Sequence, residues 1–289
     1  MLASSRFFDP FSDVPFLQEL KRVARSACPQ SLLNWREARF YARYGEVELH
    51  LLNILCRRKR DSIDIGANDG SYVHFSRRHS RTVHAFEPLP ELADALAAKF
   101  PYSNVLVHRS ALSREDGTAE LHMPVVDGVL VTGCSTISGD ASTRYAAHRS
   151  VTVPMHRLDD VYDGPAGFIK IDVEGHQQAV LEGALQTIRR NRPRMLVEVE
   201  ERLSPGGLAP ARAYFEALSY RGFFVYAGKL RPVEDFSVAT MQNPADLPDL
   251  TASLTERQRF GRYVYNFIFL PSEEARAVSA RLNERLARF

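Results

Sequence analysis

Three short stretches of the chain concentrate the residue types that do chemistry. The first is Asp64-Ile65-Gly66-Ala67-Asn68-Asp69-Gly70, which joins an apolar run to a helical one. Its glycines let the backbone turn sharply and approach a ligand closely. The second is Glu87-Pro88, about 20 residues further on, the separation at which a carboxylate closing the next strand reaches ribose hydroxyls. A carboxylate accepts from both hydroxyls of a diol, so this pairing marks a nucleoside-containing ligand. The third is Asp172-Val173-Glu174-Gly175-His176, directly after the apolar run 168–171.

The loop chemistry discriminates between nucleoside cofactors. A dinucleotide site reads G-x-G-x-x-G and seats a diphosphate on the helix N-terminus. Here the loop reads G-A-N-D-G, with Asp69 where the diphosphate would lie. A carboxylate repels a diphosphate but suits the sulfonium and amino group of S-adenosylmethionine (SAM). The loop therefore predicts SAM rather than NAD.

The elements around these stretches must alternate to bring them together. Segments 62–65, 82–86, 105–108, 168–171 and 195–199 read as strands, and 118–123 as an extra strand. Segments 71–79, 92–100, 179–190 and 210–220 read as helices. This alternation predicts an α/β fold with a parallel sheet covered by helices on both faces. Ligands in such sheets sit beyond the carboxyl ends of the strands, near the reversal of strand order. The aromatic-rich runs 222–226 and 263–270 predict antiparallel strands at one edge. The stretch 235–262 between them is irregular, and insertions of this length are often binding loops. Phe16, Leu17, Leu20 and Val23 predict one N-terminal helix. Tyr41, Tyr44, Val47, Leu51 and Ile54 predict a second, running through 41–54. The domains expected are a helical extension over 1–60, a cofactor-binding domain over 61–271 and a C-terminal helix over 272–289. The N-terminal helices would cover the site or form the face of a homodimer.

Composition narrows the class. The 289 residues include 37 basic and 35 acidic side chains, a net charge of +2, and no concentrated basic patch of the kind nucleic-acid binding needs. No apolar run reaches the roughly 18 residues of a membrane span. Three scattered cysteines and no secretory leader fit a cytoplasmic protein.

The ordered motifs DIGANDG, AFEPLP, SALS, Gly133-Cys134-Ser135, KIDVEG and the closing NFIFLP resemble the FkbM-type SAM-dependent methyltransferases over about residues 61–271. The resemblance implies a Rossmann-like, seven-stranded class I SAM-methyltransferase sheet and methyl transfer to a hydroxyl of a sugar, glycan or secondary metabolite. It implies that Asp64, Gly66, Asn68 and Gly70 cradle the methionine end of SAM. Glu87 would take the ribose, Pro88 would shape the adenosine pocket, and Ser110 and Ala111 would border the adenine. Asp172 and Glu174 would face the methyl group and the acceptor. Gln177 and His176 depart from the family, which commonly has a glutamate and a small residue there.

A hydroxyl acceptor needs its proton removed, so a general base is expected. Asp172 and His176 are the candidates, because both follow a strand whose end faces the cofactor; Glu174 would orient the acceptor. Asp172, Glu198 and Glu200 are oxygen donors that would suit a divalent metal such as Mg²⁺, but no metal ligand is assigned. The segment 133–136 would cover the site as a loop. Arg144, Tyr145, His148 and Arg149 read as a solvated helix face that could meet an acceptor. Two rival functions are an NAD-dependent sugar oxidoreductase and a catalytically silent SAM-binding scaffold. The first lacks a Tyr-x-x-x-Lys pair.

Overall fold

Segments Asp61–Ile65 and Ala166–Ile171 are buried along their entire length. Apolar strands covered on both faces belong at the centre of a parallel sheet, and these two pair there. The computed structural model describes residues 29–126, 129–137, 147–246 and 262–289.

The described chain opens with α1 (Gln30–Tyr44), a 3-10 turn (Val47–His50) and α2 (Leu52–Leu55). Alternation follows: β1 (Asp61–Ile65), α3 (Ser71–Ser76), β2 (Val83–Phe86), α4 (Pro90–Lys99) and β3 (Val105–His108). Next come β4 (Ala111–Leu112), β5 (Gly117–Val126), β6 (Val129–Leu130) and β7 (His148–His156). The second half contains α5 (Leu158–Val161), β8 (Ala166–Ile171), α6 (Gln177–Gly183), α7 (Leu185–Asn191), β9 (Arg194–Glu198) and α8 (Leu208–Ala217). It closes with β10 (Tyr220–Tyr226), β11 (Lys229–Pro232), α9 (Val238–Met241), β12 (Asn266–Pro271) and α10 (Ser272–Leu286).

The main sheet has the order β11-β10-β12-β9-β8-β1-β2-β3. The strands β9-β8-β1-β2-β3 run parallel, and β12, β10 and β11 add antiparallel partners. Strand order reverses between β1 and β8, so a crevice opens beyond their carboxyl ends. The expected seven strands gain an eighth. Ala227 and Gly228, at φ +48° and +74°, make a two-residue turn that folds β11 back on β10.

Side-chain alternation divides the core in two. Ile63, Ile65, Ile169, Ile171, Val197 and Phe269 pack on one face with α6, α7 and α8 residues such as Val180, Ile188 and Phe215. Phe168, Leu196, Ile268 and Leu270 face the other way, against Leu52, Leu55, Val278 and Leu282. By the same alternation Asp64 and Lys170, paired across β1 and β8, share this second face.

Several expectations need correction. The helix expected through 41–54 is broken: Gly45 and Glu46 are extended, and half-buried Glu46 turns in to accept hydrogen bonds from Tyr72 and Asn266. The helix expected over 179–190 is two, separated at Ala184, with Asp159 accepting from the amides of Gln186 and Thr187. His148 and Arg149 lie on the exposed end of β7 rather than on a helix. That strand pairs with β5 in a second, four-stranded sheet, β4-β7-β5-β6. The helix expected near 16–23, Arg144, Tyr145 and most of the stretch 235–262 lie outside the described residues.

Candidate active site

β1 ends in a loop whose backbone demands glycine. Gly66 has φ +80°, and a Cβ there would lie 1.8 Å from the Asp172 carbonyl oxygen. Gly70 has φ +80° as well, and its Cβ would meet Leu96 at 2.4 Å and Phe100 at 2.5 Å. Between them Asn68 also takes a left-handed conformation, φ +44°. Its amide donates to Glu87 Oε2 at 2.8 Å, and the Leu89 amide donates to Glu87 Oε1 at 3.0 Å. The loop after β1 and the acid after β2 are thus one hydrogen-bonded unit. Each Glu87 oxygen keeps a second acceptor position for a ligand hydroxyl.

This unit lines one side of an open cavity beyond the ends of β1, β2 and β8. Gly66, Asn68, Glu87, Pro88, Ser110, Ala111, Asp172, Glu174 and His176 all line it. Of the candidate residues, Asp64 and Gly70 do not. Gly70 is buried against Leu96 and Phe100, and Asp64 points to the opposite face of the sheet. Asp69 does not line the cavity either. Its side chain accepts from Tyr41 and from the Ser71 amide, so it does not face a ligand there as its place in the loop predicts. The segment expected to cover the site does line it, through Gly133, Ser135 and Thr136, with Thr132 just before it, and Thr136 Oγ1 donates to the Glu174 carbonyl at 2.8 Å.

Burial controls the electrostatics. Burial is the main force pushing Glu87 up to about 7, against the two backbone amides that favour its ionised form. Burial likewise takes Asp64 up to about 7, with Lys170 opposing. Neither Asp64 oxygen has a hydrogen-bond partner, and Lys170 Nζ stands 3.9 Å away. Lys170 is itself buried, lies over the Tyr72 ring, and reaches Asp172 Oδ2 at 2.8 Å. Burial and the Asp172 charge hold Glu174 and Glu198 well above the usual carboxylate range. Burial lowers His176 to about 4, so its imidazole is neutral at pH 7, with Nε2 2.9 Å from Ser113 Oγ.

Carboxylate oxygens of Asp172, Glu174 and Glu198 lie within 4.8 Å of one another, a set that could hold a metal ion. Glu200 does not join them, because Arg202 and the Tyr263 hydroxyl occupy its carboxylate. Lys170 and Ser113 stand in the KIDVEG and SALS motifs, but sequence alone gives neither a role in the site; a further clue to Lys170 is its charge inside an otherwise apolar strand. His108, His122 and His156 hydrogen-bond to His84, Ser150 and Asp116 respectively, away from the cavity.

A crevice of this kind, between a glycine loop and acidic strand ends, is that of a methyltransferase-type α/β domain. The Methyltransferase FkbM domain family matches residues 64–223, more than half of the chain, and the chain belongs to that family. No curated protein matches it in sequence. Among solved structures it is similar to a methyltransferase FkbM from Methylobacillus flagellatus KT, with 15% identity and a TM-score of 0.46. That match covers 73% of this chain but only 43% of the other, so this chain spans less than half of that relative. A precorrin-6y C5,15-methyltransferase from Geobacter metallireducens GS-15 matches at 12% identity and TM-score 0.40, over 77% and 86% of the two chains. A Streptococcus mutans chain solved in complex with SAH matches at 9% and 0.38, over 77% and 94%. The family assignment rests on the sequence match.

Proposed function

We propose that the chain is a SAM-dependent O-methyltransferase acting on a hydroxyl of a sugar, glycan or secondary metabolite, in the cytoplasm. The observation that carries the cofactor reading is the lining of the cavity. Among the described residues it offers Glu87, Asp172 and Glu174, and no Lys or Arg. A diphosphate would find no cationic partner among these, whereas a sulfonium and an ammonium would find carboxylates. This supports SAM over NAD on firmer ground than Asp69, which faces away.

When bound, SAM supplies an electrophilic methyl group on a neutral leaving group. The chain's own work is to align the acceptor and take its proton. Asn68 and Glu87 fit the ribose end, with Pro88, Ser110 and Ala111 around the base. Gly66 leaves room for backbone approach at the methionine end, and Asp64 supports that end from the far side of the sheet through Lys170. Gly70 keeps the loop close against α4. Asp172, fixed by Lys170, lies near the transferring end. His176, anchored by Ser113, is placed to take the acceptor's proton, although burial weakens it as a base, and Glu174 suits hydrogen bonding to the acceptor.

The test is calorimetric titration with SAM and, separately, NAD, followed by transfer of a labelled methyl group to a panel of sugars and hydroxylated metabolites. SAM binding that Glu87→Ala weakens by about tenfold or more is expected, because a charge-assisted hydrogen-bond pair is lost. NAD binding with no SAM binding would end the methyltransferase reading. SAM binding without transfer to any acceptor would favour a silent scaffold.

A further inference from the structure

The glycine loop has two sides, and the site description uses only one. Asn68 faces Glu87 and the cavity; Asp69, the next residue, faces α1. Tyr41 of α1 donates its hydroxyl to Asp69 Oδ2. Lys99, the last residue of α4, donates to the Asp69 carbonyl oxygen at 2.6 Å and pairs with Glu37 of α1 at 2.7 Å. Asn34, buried on α1, donates to the Lys99 carbonyl oxygen at 2.7 Å. Four side chains from two helices therefore meet behind one loop residue. Three of the four, Asn34, Glu37 and Tyr41, come from a segment that precedes the family-matched residues 64–223.

The loop needs such support. Gly66, Asn68 and Gly70 all have positive φ within five residues. A non-glycine residue held there is strained and persists only when its surroundings over-determine it. Glu87 restrains Asn68 from the cavity side. On the other side Asp69 takes a local bond from the Ser71 amide, and its long-range partners are Tyr41 and Lys99.

We propose that Tyr41 and Lys99 are positioning residues for the cofactor. They hold Asp69 against α1 and so fix the Asn68 amide and the loop backbone in the ligand-ready shape. The segment before the family-matched region is on this reading a working part of the site. This rests on the SAM reading above for its ligand, but not for its structural core.

The experiment pairs a ligand-free readout with a binding one. Amide hydrogen exchange over 66–71 and the SAM dissociation constant are measured for the full chain and for Tyr41→Phe, Lys99→Met and Lys99→Arg. Tyr220→Phe serves as the control, since it loses a buried hydroxyl that donates to the Pro193 carbonyl, far from the cavity. Loop exchange and the dissociation constant should each rise about tenfold in Tyr41→Phe and Lys99→Met. Lys99→Arg should recover most of the loss. Turnover at saturating SAM should stay near the parent value, so KM moves and kcat does not. Tyr220→Phe should lower Tm yet leave loop exchange and binding unchanged. The proposal is overturned if loop exchange in Tyr41→Phe and Lys99→Met moves no more than in Tyr220→Phe. If the parent chain binds no SAM, the function reading fails, and the exchange comparison still decides the positioning role.

Discussion

Two buried acids, Asp64 and Glu87, contribute to the pH behaviour of the site beside Glu174 and Glu198, which burial also raises. Asp64 and Glu87 are pushed up to about 7, mainly by burial. An unfolded chain ionises such groups near pH 4. Between about pH 4 and pH 7 the folded chain therefore keeps protons that the unfolded chain has released. Stability contributed by these groups is complete at the acidic end of that window and is lost as pH rises through it. Binding of a cationic ligand has the opposite sign, because it favours the ionised carboxylates. SAM affinity should climb as pH rises from about 6 to about 8, while unliganded Tm declines from its acidic value. Titration calorimetry and thermal melts across that range test both slopes. An affinity that is flat with pH, together with an unchanged slope in Glu87→Gln, would remove Glu87 from the ligand's charge environment.

At the scale of elements, the site exists because β1 and β8 approach to backbone contact. Gly66 shows how close: a methyl group there would lie 1.8 Å from the Asp172 carbonyl. Gly66→Ala must therefore displace the end of β8 as well as strain its own φ, and should cost about 3 kcal/mol or more. Gly206→Ala is the matched control. It too has positive φ, +73°, but nothing lies within 4 Å of its Cβ, so only the conformational penalty of about 1–2 kcal/mol remains. Urea melts separate the two, and equal losses would mean that the strand approach is not tight.

The same close approach explains what could be read from sequence. The glycine loop, Glu87 and the acids after β8 stood out because polar residues interrupt apolar runs where strands end. The parallel strands stood out because they are apolar on both faces. Lys170 was hidden inside such a run, since its partners Asp64 and Asp172 become neighbours only through strand register. The direction of Asp69 involves more than the loop's own Ser71 amide: its other oxygen accepts from Tyr41, 28 residues earlier. β7 carries a proline and exposed charges along a half-covered sheet, and β11 is a four-residue edge strand with a single buried side chain. Neither leaves a clear periodicity. The break in the helix over 41–54 goes with the hydrogen bonds of Glu46 to Tyr72 and Asn266, tertiary contacts that outweigh the local pattern.

Across the whole molecule, the second sheet face is closed by segments from both ends of the chain. Leu51, Leu52 and Leu55 from the N-terminal side share one core cluster with Ala275, Val278, Leu282 and Leu286 of α10. One ionic junction ties these parts to the sheet. Arg194 of β9 makes two parallel bonds to Glu274, each 2.9 Å, and donates to the Ile54 carbonyl, while Arg57 reaches the same Glu274 at 2.6 Å. Arg194 is only 11% exposed and Glu274 23%, so solvent screens this pair weakly. Removing one partner of a buried pair leaves the other charge unpaired, which costs more than removing both. Glu274→Leu leaves two guanidiniums without their carboxylate and should cost about 3 kcal/mol. Arg194→Leu should cost less, since Glu274 retains Arg57. The double variant Arg194→Leu/Glu274→Leu should lose clearly less than the sum of the singles. Chemical melts of the four proteins give the cycle, and strict additivity would show that α10 is held by its apolar stripe alone.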